Sequence, residues 1–174
     1  MDGIRTHRRL ACLYACWLAA GLVASGCAAS KPAVLGAVSC GPGTRDAEGR
    51  YHNEGFSILF PEGWKLREDV PGMVVLGVSP QQGPDDRFLE NCGLAAEGLE
   101  TGVDLETYRA SALAHLQRSA PGFLLLHQED TFTYSGIPAK KIVHEQESGD
   151  LALRMLVYLV VTGQRAYIVT CGTG

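Results

Sequence analysis

Three tight, glycine-bearing links in the last third of the chain constrain its fold more than any other feature. Ser135-Gly136 joins the apolar stretch 123–134 to the stretch 137–147, Gly149-Asp150 joins that to 151–162, and Gly163-Gln164 leads into 166–171. Links this short force antiparallel neighbours, because a parallel pair needs a crossover of a dozen or more residues. Gly163-Gln164 also has the glycine-first pattern of a two-residue hairpin turn. The stretch 151–161 is apolar at odd and even positions alike, as expected of a central strand covered on both faces. Four consecutive strands of one sheet are therefore predicted.

Further elements precede them. Phe56, Ile58 and Phe60 alternate along a short strand that Pro61-Glu62-Gly63 breaks before Trp64. Residues 73–79 form a second apolar strand, and 88–99 a third that contains Cys92, Leu94 and Ala96. Asp104 is a suitable N-cap for a helix in which Leu105, Tyr108, Ala112, Leu113 and Leu116 recur at helical spacing, and Pro121-Gly122 ends it. The order predicts an α+β domain, a mainly antiparallel sheet of about six to seven strands with helix cover. One covering layer is the 104–119 helix; the other sheet face needs a second.

The N-terminal residues read as an export signal and are set aside from the fold. Arg5, Arg8 and Arg9 form a positive start, and residues 10–23 are an apolar run rich in Ala and Leu. Fourteen helical residues reach only ~21 Å, short of a hydrocarbon core of ~30 Å. The run ends in Ala24-Ser25-Gly26-Cys27, small residues leading to a cysteine. That resembles the bacterial lipoprotein signal, in which residues 1–26 are removed and Cys27 carries the lipid (palmitate among its chains). Leu13-Tyr14-Ala15-Cys16 is a poorer match of the same kind, and an ordinary secretory peptide or an uncleaved anchor, with Cys27 incidental, is the alternative. The small residue after Cys27, Ala28, fits retention at an outer membrane if the host has one. Residues 27–54, rich in Gly, Ala, Ser and Pro without periodicity, are expected to form a flexible tether. A strand hidden in 33–38 is the competing reading.

Of six cysteines, Cys40, Cys92 and Cys171 remain beyond the signal and the lipid. An exported protein meets an oxidising compartment. Cys92 and Cys171 both fall in predicted strands and form the preferred disulfide pair, with two separate buried thiols as the alternative.

Phe56-Ser57-Ile58-Leu59-Phe60-Pro61-Glu62-Gly63-Trp64 resembles the opening of the PsbP-like domain (PsbP/Mog superfamily), where a strand runs into Pro-x-Gly-Trp. The later elements follow in matching order: a strand with Asn91, the helix with Leu105 and Tyr108, Gly136-Ile137-Pro138-Ala139-Lys140 opening a hairpin, and Ala166-Tyr167-Ile168-Val169-Thr170 as last strand. The likeness spans residues 53–174, and a PsbP-like domain is expected over 55–174. Domains of that family end with a further helix on the sheet, so this sequence is expected to be C-terminally incomplete or to cover the face otherwise. The resemblance implies a docking role, and it brings calcium only through relatives of the photosynthetic water-oxidising complex. No residue here matches a ligand motif for it.

Motifs for chemistry are missing from the chain. There is no Gly-x-Ser-x-Gly, no phosphate-binding glycine loop, no His-Glu-x-x-His and no Cys-x-x-Cys. No catalytic residue, no metal site and no cofactor is therefore predicted. His127 and His144, on neighbouring predicted strands near Glu129 and Glu145, are the best-placed candidates for a metal, although cross-strand polar pairs of this kind commonly just solvate a face. Asp85-Asp86, and Glu145, Glu147 and Asp150, are acidic groups that suit turns. A net charge of −4 argues against a nucleic-acid partner. The reading is an extracytoplasmic, lipid-anchored protein-binding or assembly module whose partners are the membrane and an unidentified envelope protein. The alternative is a carrier of a small apolar ligand or lipid between sheet and helix.

Overall fold

A computed structural model describes residues 34–38 and 40–174; the expected signal segment 1–26 and Cys27 lie outside the described residues. In chain order the elements are β1 (Val34–Ala37), β2 (Thr44–Arg45), β3 (Arg50–Asn53), β4 (Phe56–Leu59), β5 (Lys65–Arg67), β6 (Val75–Val78), β7 (Asn91–Leu99), α1 (Leu105–Ser119), β8 (Leu124–Phe132), β9 (Pro138–Ser148), β10 (Leu151–Thr162) and β11 (Arg165–Thr173).

The glycine links make antiparallel hairpins, and β8, β9, β10 and β11 follow one another across the sheet as a meander. β11 then pairs with β7, which carries β6 and β5 beyond it. β1 takes the other half of the same β7 edge, with Val34 opposite Leu99 and Ala37 opposite Glu97. The main sheet thus has eight strands rather than six or seven, and all its pairs are antiparallel. β2, β3 and β4 form a separate three-stranded sheet.

Alternation along the strands builds two cores, one on each face. Ala95, Leu99, Ile142, Val157, Leu159, Ala166 and Ile168 point to the first, where α1 lies across the sheet. Asp104 caps α1, its carboxylate accepting from Thr107 N at 2.8 Å. The helix drives in one fully buried side chain, Tyr108, whose hydroxyl donates to Glu97 at 2.5 Å. Burial and the adjacent carboxylate both push that hydroxyl's pKa upward. Lys140, nearly buried, ties the same layer together by pairing with Glu106 of α1 and Asp130 of β8.

Leu94, Ala96, Tyr167 and Val75 point to the second core, with Cys92, Val160 and Val169 beside them. Their cover is the small sheet and its flanks: Tyr51, Phe56, Ile58, Phe60 and Trp64, together with Val38 and Cys40. The Pro61-Glu62-Gly63-Trp64 turn closes on Gly77 of β6, where an added Cβ would stand 2.4 Å from the Phe60 ring and 3.1 Å from Trp64. A bare backbone lets both aromatic rings lie flat on the strand.

The N-terminal boundary differs from the sequence expectation. Residues 34–38 and 40–53, assigned to the tether, contribute β1, β2 and β3, and Tyr51 is only 3% exposed. The reason is long-range pairing. None of these strands exceeds four residues, none shows the apolar alternation of Phe56, Ile58 and Phe60, and each is held by contacts that neighbouring sequence does not reveal. Gly43 lies flat on the Tyr51 ring, Glu68 accepts from both Gly43 N (2.9 Å) and the Tyr51 hydroxyl (2.6 Å), and Val38 N donates to Ala96 O at 2.9 Å. The competing reading, a strand within 33–38, matches β1. No helix among the described residues is long and apolar enough to cross a membrane.

Candidate functional site

The small sheet covers the second face only as far as β11 and the near side of β10. Beyond it, the register places Val143 opposite Leu156, and Tyr158 opposite Lys141, on that same face of β9 and β10. All four are half-buried. Around them stand the cross-strand ion pairs Lys141 Nζ to Glu129 at 2.7 Å and Arg154 to Glu145 at 3.0 Å, with His127 Nε2 3.3 Å from Glu129 along β8 itself. The Glu129 carboxyl is held below its ordinary pKa, chiefly by the hydrogen bond from Lys141 and then by His127. This is a small apolar centre with a charged rim.

The histidines expected to face one another do not. His127 stands opposite Val143 on the second face, whereas His144 stands opposite Leu125 and Met155 on the first. A bulge between Leu125 and His127 helps set this register, and on a pleated strand adjacent residues such as Val143 and His144 point to opposite faces. His144 is 1% exposed, stacks on Phe123 with ring centroids 5.0 Å apart, and has Gln146 Oε1 3.2 Å from Nε2; its Nδ1 has no partner. Burial lowers the imidazole's pKa below its ordinary 6.5, the Gln146 hydrogen bond opposing it only in part. The unfolded chain therefore takes up a proton near pH 6.5 that the folded chain refuses. Stability should fall as pH drops below about 6.5, and the fall should cease only below the folded-state pKa. Melting temperatures of the wild type and of His144→Leu between pH 8 and pH 5 check this, the variant being expected to show the shallower acid-side decline.

Three of the five acidic residues singled out from sequence are held by protein partners. Asp86 accepts from Gln82 N (2.9 Å) and Phe88 N (3.3 Å) within its loop, Asp150 pairs with Arg87, and Glu145 with Arg154. Among the described residues, no three His, Cys, Asp or Glu side chains come together as a metal-binding group. Trp64, Tyr108 and Tyr167 line the cores, while Tyr158 belongs to the half-covered patch.

Cys92 on β7 and Cys171 on β11 stand directly opposite, Cα to Cα 4.0 Å, which brings together two thiols 79 residues apart in the chain. Cys40 is a free, half-buried thiol beside the second core. Near it, Ala37, Val38, Glu68, Met73 and Val74 help line an open cleft of about 430 Å³. Between α1 and the main sheet the packing is closed, with Ile142, Leu159 and Ala166 at 0% exposure.

Sequence reasoning missed three features: the buried Tyr51, the Lys140 bridge, and an exposed apolar tip on the β8–β9 hairpin. There Tyr134 is fully exposed, Phe132 is 68% exposed and Ile137 36%. The Ser135-Gly136 turn marked the hairpin but not the character of its end.

No protein-family model matches the chain, and no curated protein matches it either. Solved structures do. The solution structure of cyanobacterial PsbP (CyanoP) from Synechocystis sp. PCC 6803 superposes with a TM-score of 0.50 at 15% identity, over 86% of this chain and 86% of that one. A Pseudomonas aeruginosa protein of unknown function gives 0.51 at 16% identity, over 76% of this chain and 83% of that one. LpqN of Mycobacterium tuberculosis, described as involved in cell envelope biogenesis, gives 0.48 at 14% identity, over 64% and 65%. At these identities the likeness is one of architecture. The antiparallel sheet with its single crossing helix has a PsbP-like fold.

Proposed function

We propose that this protein is an extracytoplasmic docking module, held to a membrane by lipid on Cys27, that binds an envelope protein through the half-covered face of β8, β9 and β10. The observation that carries the docking role is the patch itself: Val143, Leu156 and Tyr158 half-buried inside a rim of paired charges. The leader's Ala24-Ser25-Gly26-Cys27 supports the anchor. Two or three acyl chains exceed what stable anchoring needs, each buried methylene contributing ~0.8 kcal/mol.

Fractionation tests the anchor. Wild-type protein should sediment with membranes through a high-salt wash, and Cys27→Ala should lose that retention. Equal retention of both would contradict the reading. For docking, a photo-cross-linker at His127, on the half-covered face, should give a discrete adduct in cells. One at Ser111, exposed on α1, should not. Adducts at neither site, or equally at both, would overturn the assignment of the face.

A further inference from the structure

The register brings the apolar hairpin tip and the start of the described chain to one end of the main sheet. Phe132 pairs with Pro138, Ala139 with Val160, Tyr167 with Ala96, and Ala37 with Glu97, so these residues form adjacent rungs running from β8 across to β1. Beyond those rungs, past the same ends of the strands, project the 133–137 turn on one side and Val34 on the other. Leu35, next to Val34, is 70% exposed.

We infer that the tip Phe132–Thr133–Tyr134–Ser135–Gly136–Ile137 is a second membrane contact, inserting its apolar side chains into the interface of the bilayer that carries the lipid anchor. Four observations support this. The six residues carry no charge. Three of them are exposed apolar or aromatic side chains, of the kind that settles at a membrane interface. The turn pairs its own polar groups: Thr133 N donates to Ile137 O (2.8 Å), Gly136 N to Thr133 O (2.9 Å), and Ile137 N to Thr133 Oγ1 (3.0 Å). Inserting it therefore does not strand those donors in an apolar medium, which is the main penalty against irregular backbone there. Lastly, the anchor is within reach. Seven residues from Cys27 to Val34 extend to at most ~25 Å. The five strand spacings from β1 to β8 amount to ~24 Å. Sheet twist turns β8 away from β1, and a tether of that length lets the domain roll until the tip meets the surface.

The inference rests on the lipid-anchor reading, so the experiment reads the two separately. Lipidated protein carrying Cys40→Ser is labelled with an environment-sensitive fluorophore at Tyr134→Cys or, as control, at Gln81→Cys in the exposed loop at the opposite end of the sheet. Each is reconstituted into phosphatidylcholine vesicles containing a quencher on the acyl chains. The label at position 134 should shift to the blue and lose emission to the quencher, unchanged by high salt because the tip is uncharged. The label at 81 should do neither. If the protein stays with the vesicles while 134 remains unquenched, the tip inference is overturned and the anchor stands. If 134 is shielded in native membranes but not in protein-free vesicles, the tip docks on protein, which also overturns it. Loss of the protein from the vesicles, with no acyl mass on Cys27, removes the anchor reading instead. A Phe132→Asp, Tyr134→Asp variant with unchanged circular dichroism should abolish the residual vesicle binding of delipidated protein.

Discussion

Replacing Tyr51 by alanine is expected to cost about 3–5 kcal/mol, the range for removing a buried aromatic ring. The ring is 3% exposed, lies against Gly43, stacks with Phe56 at 6.1 Å between centroids, and reaches Glu68 through its hydroxyl. Against a total stability of 5–15 kcal/mol such a loss leaves a marginal or unfolded domain. Tyr51→Phe keeps the ring and loses the hydroxyl's bond to the exposed Glu68 carboxylate and the longer one it accepts from Asn53 (3.3 Å), so about 1 kcal/mol is expected. Urea unfolding of the three proteins measures both. A chain cut to begin at residue 55 should behave worse than Tyr51→Ala, because Leu94, Ala96, Tyr167 and Val75 would lose their N-terminal cover. Near-wild-type stability of Tyr51→Ala would return residues 40–53 to the role of tether.

The second large effect concerns Cys92 and Cys171. We propose that they are disulfide-bonded, which would close a loop of 79 residues and, from chain entropy alone, stabilise the folded, oxidised protein by about 4 kcal/mol. Reduction, or Cys92→Ser with Cys171→Ser, should lower the thermal midpoint by roughly 10–20 °C in a domain of this size. Thiol counting on unreduced protein beyond Cys27 should find one reactive group under denaturing conditions, Cys40. Three reactive thiols, with no change of midpoint on reduction, would identify Cys92 and Cys171 as separate buried thiols.

How far the chain is legible from its sequence depends on the distance over which each element is decided. The meander from β8 to β11 rests on two-residue links and on long alternating stretches, so its strands appear in the sequence within a residue or two of their ends. The helix is legible for a similar local reason: Asp104 caps it and Pro121-Gly122 stops it. β1, β2, β3 and β5 are short, and their pairing depends on Leu99, Glu97 and Val78 or on a small separate sheet. Nothing local marks them. The missing second layer followed from that gap. Residues 40–60 supply much of that cover, through partners that local sequence does not reveal. The half-covered patch was equally hidden, since it depends on where that cover ends. His127 and His144 were separated by a register and a bulge that single-sequence alternation does not fix.

The anchor is the claim from which orientation, tip contact and docking geometry all follow. Its most direct measurement is the mass of the N-terminal peptide from protein purified out of its own membranes. The account expects a chain beginning at Cys27, carrying a diacylglyceryl group on Sγ with or without a further acyl chain on the α-amine. A mature chain that starts elsewhere, or one in which Cys27 is unmodified, would contradict it.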